Sequence, residues 1–135
     1  MNQRDLQLLS LRPEILSAKV SENMTPDERF QNKTLRPIAK LQNDLLLAAF
    51  RNYIQKHKNV FYGLPIEKRM DYVENAINKD MKFRNSLKGM IIGQFTLAEY
   101  SVYIQNSSAL NKRMMGIVKE RIMENIQLLE AAYSY

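Results

Sequence analysis

The chain of 135 residues predicts an all-α fold, a compact bundle of five to six helices closed by a long C-terminal helix. Three observations carry that expectation. Apolar residues recur at spacings of three and four, and no stretch shows the period-two alternation of a half-buried strand. Gly and Pro number four each, too few for the many tight turns of an all-β chain. Thr25-Pro26-Asp27-Glu28 and Thr96-Leu97-Ala98-Glu99 both carry the Thr-x-x-Glu pattern, in which each side chain satisfies the other residue's backbone N–H at a helix start.

The elements follow in order, within a single domain over residues 1–135. Leu8, Leu9, Leu11, Ile15 and Leu16 make the N-terminal stretch apolar, and Pro13 interrupts it. The reading is a short helix from about Pro13 onward, preceded by a loosely ordered arm over residues 1–12. Thr25 and Pro26 start a helix that runs to about Leu35; Pro37, with no N–H to donate, then kinks it or opens another. From Ile38 to about Lys56, Ile38, Leu41, Leu45 and Ala49 keep one face apolar. Leu46, Leu47 and Phe50 widen that face nearly all round, which marks the central, most buried helix. Asn59 to Leu64 reads as a loop with a sharp turn at Gly63, and Pro65 opens a helix striped by Ile66, Met70, Val73 and Ile77. Asp80 is placed to cap a helix containing Met81, Phe83, Leu87, Met90 and Ile91, and Gly93 to end it in the left-handed conformation. Phe95 stands where it can pack on Tyr100 across the second capping box. The last helix spans about Ala109 to Ala132, its stripe Met115, Val118, Ile122, Ile126, Leu129 and Tyr133 holding helical spacing.

Several chemistries are disfavoured by the residues available. The absence of cysteine removes disulfides, thiolate metal sites and a cysteine nucleophile. His57 is the only histidine, so clusters of the zinc or non-haem iron type have no ligands to draw on, and it reads as an exposed helix-end residue. There is no Glu-x-x-His pair, no Gly-x-Ser-x-Gly and no glycine-rich phosphate loop. Gly89 and Gly93 stand four apart, but Lys88 and Gln94 beside them point to close packing and a helix stop, not a membrane dimer. The longest apolar run, Leu45 to Phe50, is six residues, and the N-terminus has no apolar leader. The expectation is a cytoplasmic protein with no membrane segment, no metal, no cofactor and no recognisable catalytic set.

The formal net charge is +6, and the segment from Arg29 to Lys58 holds seven cations against Asp44, which accounts for all of it. Within it Arg29, Lys33, Arg36 and Lys40 are spaced four, three and four, and share one helical face if Pro37 does not break the helix. Converging cations make a candidate anion site for nucleic acid, a phosphorylated ligand or an acidic protein; a solvated face is the plainer reading. The stripe Met115, Val118, Ile122, Ile126 and Leu129, widened by Leu110, Ile117 and Leu128, is more apolar than a one-sided contact requires, so self-association as a homodimer is expected through it. Residues 88–102 have the outline of a helix-turn-helix, although Gln94 and Glu99 fall where that motif buries apolar residues.

Three stretches, residues 30–37 (FQNKTLRP), 79–96 (KDMKFRNSLKGMIIGQFT) and 103–115 (YIQNSSALNKRMM), resemble a family of short, helical, cytoplasmic bacterial proteins of unestablished role that often carry the label "glyoxalase". The resemblance spans about Ser21 to the last helix and implies the same helical fold, with a glyoxalase-like lyase as the activity the label suggests. Glyoxalase-type metal sets need several histidines, and this chain offers no positions onto which they could be carried. The residues favour a non-catalytic binding or regulatory module acting through the basic face or self-association. The alternatives are that lyase and a helical DNA-binding regulator.

Overall fold

The computed structural model of the chain describes residues 1–15 and 20–133, and every regular element among them is helical. The α-helices are α1 (Gln3–Leu11), α2 (Pro26–Phe30), α3 (Arg36–Leu41), α4 (Asn43–Lys56), α5 (Ile66–Lys79), α6 (Met81–Ile92), α7 (Leu97–Tyr103), α8 (Ser107–Glu124) and α9 (Ile126–Tyr133). A π turn, Gln31–Leu35, joins α2 to α3, and a 3-10 turn, Val60–Gly63, precedes α5. Because α2, the π turn and α3 run on in helical backbone, α3/α4 and α8/α9 are interrupted only by single residues, and the extended Asp80 divides α5 from α6, the described helices group into six rods.

Pro37 neither ends nor sharply breaks its helix. An α-helix at that position would lose one N–H and drive the proline ring against the carbonyl four residues back. The chain instead widens into the π turn: the N–H of Arg36 reaches Gln31 O, five residues back, and Phe30, Gln31, Leu35 and Arg36 all keep right-handed helical dihedrals. The bend between α3 and α4 falls at Gln42, whose amide donates to Met90 O of α6 at 2.7 Å.

The middle of the bundle is α8, which packs against α3, α4, α5, α6 and the π turn. Its Leu110, Met114, Met115, Ile117, Val118 and Ile122 are all buried. A helix surrounded on several sides needs an apolar arc wider than one stripe, and that explains its composition. The residues expected to mediate self-association, Met115, Val118 and Ile122 on α8 with Ile126 and Leu129 on α9, are therefore core residues of the chain itself, with Val118, Ile122 and Leu129 at 0% exposure. They offer no exposed face. The helix from Ile38 onward does bury Leu46, Leu47, Phe50 and Ile54, but its Leu45 is 47% exposed, so it flanks the centre and does not occupy it.

Other expectations shift for local reasons. The N-terminal helix lies before Pro13, not after it: Asn2 accepts from the N–H of Asp5 at 2.7 Å and opens α1. Residues 12–15 and 20 are not helical, and residues 16–19 of the helix expected there lie outside the described part of the chain. Gly63 and Gly93 both keep negative φ. The left-handed residues are Lys58 (φ 63°) and Asn59 (φ 59°), which close α4 in a Schellman motif, Asn59 N–H to Ile54 O at 3.0 Å and Lys58 N–H to Gln55 O at 3.1 Å. Phe95 packs edge-on against Phe30 and Tyr103, each at 5.5 Å, while Tyr100 is 47% exposed.

The burial of the α8 stripe separates two outcomes. Ile122→Glu should prevent folding, since it places an unpaired charge at a site with 0% exposure. Ile122→Ala should keep the fold and lower its stability by about 2–5 kcal/mol. Denaturant unfolding and light scattering check this; a folded, merely dissociated Ile122→Glu protein would show that the stripe is an interface.

Candidate functional site

The second capping box builds the best-organised polar cluster in the molecule. Thr96 Oγ1 accepts from the N–H of Glu99 at 3.2 Å, and Glu99 accepts from the N–H of Thr96 at 2.8 Å. Glu99 then does more than cap. Arg12, from beyond the end of α1, donates to both of its carboxylate oxygens at 2.5 and 2.6 Å, and to Gln94 O at 2.8 Å. Thr34 of the π turn donates its hydroxyl to Glu99 at 3.0 Å. The Arg12 and Glu99 side chains are only 8% and 17% exposed, where a two-pronged guanidinium–carboxylate pair is strong because water competes little. Burial alone pushes the Glu99 carboxyl up, but the hydrogen bonds and charge of Arg12, with the Thr96 N–H and the Thr34 hydroxyl, outweigh it and hold the pKa below its ordinary 4.5. Asp5 completes the arrangement: it is buried and accepts from the N–H of Leu97, the first residue of α7, at 3.1 Å.

Beside this cluster lies a cavity of about 540 Å³. Leu9, Met24, Pro26, Phe30 and Val102 give it apolar walls, Thr34, Thr96 and Glu99 line its polar side, and Arg29 and Lys33 also border it. Its size is that of a small-molecule site, and so is its composition of apolar walls with a few placed polar groups. Among the described residues Arg29 makes one long contact, to Ser21 O at 3.3 Å, and Lys33 is exposed with no carboxylate in ion-pair range.

The four cations read as one basic face are thus divided. Arg29 and Lys33 border this cavity. Arg36 lines a separate cavity of about 350 Å³ together with Arg121, Glu120 and Glu124, and pairs with Glu120 at 3.5 Å. Lys40 donates to the backbone carbonyl of Glu14 at 3.4 Å. Arg12 and Thr34 carry no signature in the sequence that would join them to Glu99, since they lie 87 and 65 residues from it. His57 is exposed at the end of α4, as its position in the sequence suggests. Among the described residues no three His, Asp or Glu side chains come together as metal ligands, and no helix is long and apolar enough to cross a membrane. Leu97, Tyr100 and Val102 on α7 and Ile104 just after it are exposed, as are Leu6, Leu9 and Leu11 on α1.

No family model, curated protein or solved structure matches the chain, so the resemblance in residues 30–37, 79–96 and 103–115 assigns it no function.

The Glu99 cluster makes acid stability testable. A carboxyl whose folded pKa is depressed contributes stability that is complete above its unfolded value and is lost as pH falls through the folded one. Denaturant midpoints of the native protein should therefore fall as pH drops below 4.5, and less so in Glu99→Gln, which can still cap but carries no charge to titrate. Identical pH profiles would show that Glu99 is not held below its ordinary value. Arg12→Met should cost about 3 kcal/mol at neutral pH, because it strands a partly buried carboxylate.

Proposed function

We propose that the protein is a non-catalytic binding module for a small anionic ligand with an apolar body, taken up in the cavity between α1, the α2–π turn rod and α7. One observation carries the reading: an apolar-walled cavity of about 540 Å³ is bordered by two cations, Arg29 and Lys33, that no carboxylate neutralises among the described residues. Leu9, Met24, Phe30 and Val102 would take the ligand's apolar part out of water, at roughly 25 cal/mol per Å² of apolar surface removed. Arg29 and Lys33 would meet a carboxylate or phosphate head at the edge, where partial desolvation strengthens the attraction. Glu99 faces the same space but is occupied by Arg12, so it serves to shape the wall and not as a free base.

The other readings have less support. A helix-turn-helix presents its second helix to DNA, yet the N-terminus of α7 is filled by the carboxylates of Asp5 and Glu99, which phosphates would meet as like charge. A polyanion spanning all four cations finds Arg36 paired with Glu120 and set in another cavity. A glyoxalase-like lyase would need an acid–base group free to act, and the cavity's one carboxylate is held on both oxygens.

Calorimetric titration with octanoate, octyl phosphate and octanol tests the proposal. The two anions should bind more tightly than the alcohol, with affinity that weakens as salt rises. Arg29→Gln combined with Lys33→Gln should remove most of that preference, a loss of about tenfold or more for two partly desolvated charge contacts. Equal affinity for octanol, or anion binding unchanged in the double variant, would contradict it.

A further inference from the structure

A second groove lies where α4, α5 and α6 meet. Its core is a stack of rings. Tyr53 lies 4.1 Å from His57 at 25° and 4.3 Å from Phe83 at 31°. Two rings that close and that nearly parallel cannot share one face of Tyr53, so they sandwich it. His57 is exposed, which leaves its outer face as the open end of the stack. The imidazole is also held in place: its Nδ1 lies 2.8 Å from the carbonyl of Tyr53, which can only accept, so Nδ1 donates there. The left-handed pair Lys58 and Asn59 fixes the backbone immediately after it, at conformations non-glycine residues seldom adopt.

The groove beside this stack measures about 870 Å³. It is lined by Tyr53 of α4 and His57 just after it, Tyr72 and Asn75 from α5, and Lys79, Asp80 and Lys82 at the α5–α6 junction. A smaller cavity on the Phe83 side adds Lys56. Three lysines therefore border the stack against the one carboxylate of Asp80, which caps α6 through the N–H of Phe83 at 3.2 Å. Tyr72 Oη is buried without a hydrogen-bond partner among the described residues, an unspent donor in the groove's wall. The hydroxyl of Tyr53 is pushed up to about 12 by burial, then by the charge of Asp80 and of Tyr72 and the hydrogen bond to Asp80, so it stays a neutral donor.

A planar face, polar groups at its edge and surplus positive charge a few residues away are the three features that recognise a nucleotide. We propose that this groove is a mononucleotide site, in which the base stacks on the outer face of His57, the Asn75 and Asp80 side chains meet the polar edge of the base or sugar, and Lys79 and Lys82 take the phosphate. Stacking of this kind tolerates any base, since every base has a π-face. The groove is distinct from the cavity at Arg29 and Lys33, with which it shares no residue.

Because His57 is the only histidine, its ring protons give a single pair of proton NMR signals that reports directly on the site. Adenosine 5′-monophosphate should move those signals by ring current and bind more tightly than either adenosine or inorganic phosphate. His57→Ala, at an exposed helix end, should fold normally by circular dichroism and weaken the nucleotide about tenfold, the size of one lost base–ring stack. Lys82→Gln should weaken the nucleotide and leave adenosine unaffected. Arg29→Gln with Lys33→Gln should leave nucleotide binding unchanged, which keeps this site's outcome separate from that of the first cavity. The proposal is overturned if the nucleotide leaves the His57 signals unmoved at millimolar concentration, if His57→Ala binds it as well as the native protein, if the Arg29/Lys33 variant loses it, or if only a single-stranded oligonucleotide binds.

Discussion

The contact on which one end of the molecule depends is the carboxylate of Glu99. Three segments far apart in sequence converge on it: Arg12 after α1, Thr34 in the π turn, and the start of α7 itself. Each would be a weak link alone. A seven-residue helix such as α7 is far below the length that is stable by itself, and α1 has only Asp5 buried along its nine residues. What holds them is charge and hydrogen bonding, not a broad apolar seam. The cavity bordered by Arg29 and Lys33 is walled by these same segments, so its shape follows from the Glu99 cluster.

The other end is built differently. Phe50 meets Phe61 and Tyr72 edge-on at 5.7 and 6.2 Å, and α8 runs through the middle of the bundle with its apolar arc covered by α3 to α6. Arg69 ties the 3-10 turn to α5 by donating to Tyr62 O and Leu64 O, both at 2.9 Å, with its guanidinium 5.2 Å from the centre of the Phe61 ring. An apolar core holds this part of the fold, and a polar clasp, itself largely out of water, holds the other.

How much of this could be read from the residues varies with the range of the interaction. Local signals were legible: the capping box at Thr96, the caps at Thr25 and Asp80 and the stripe of α8 stand where short spacing put them, whereas Thr25 lacks the reciprocal bond from Glu28 and Ile66, at the start of the α5 stripe, is exposed. The width of the apolar arc on α8 was legible too, but it has two physical meanings, a central position or an exposed interface, and only packing separates them. Pro37 was ambiguous for a similar reason, since a π turn that absorbs a proline leaves no composition mark. That turn also alters the angle between successive side chains, which helps to explain why Arg29 and Lys33 share a cavity with each other and not with Arg36. The candidate sites were least legible of all. Arg12 joins Glu99 across 87 residues, and His57 gains meaning only from the Tyr53 and Phe83 rings stacked beneath it.

The claim that Glu99 fastens the N-terminal helix and shapes the cavity is tested most directly by native-state amide hydrogen exchange in Glu99→Gln. That substitution preserves the cap on α7 and removes the charge that Arg12 grips. The account requires α1, from Gln3 to Leu11, to exchange faster in the variant while the amides of α8 keep their protection. Unchanged protection across α1, or an equal loss in both helices, would mean that the clasp at Glu99 is not what holds this end of the fold together.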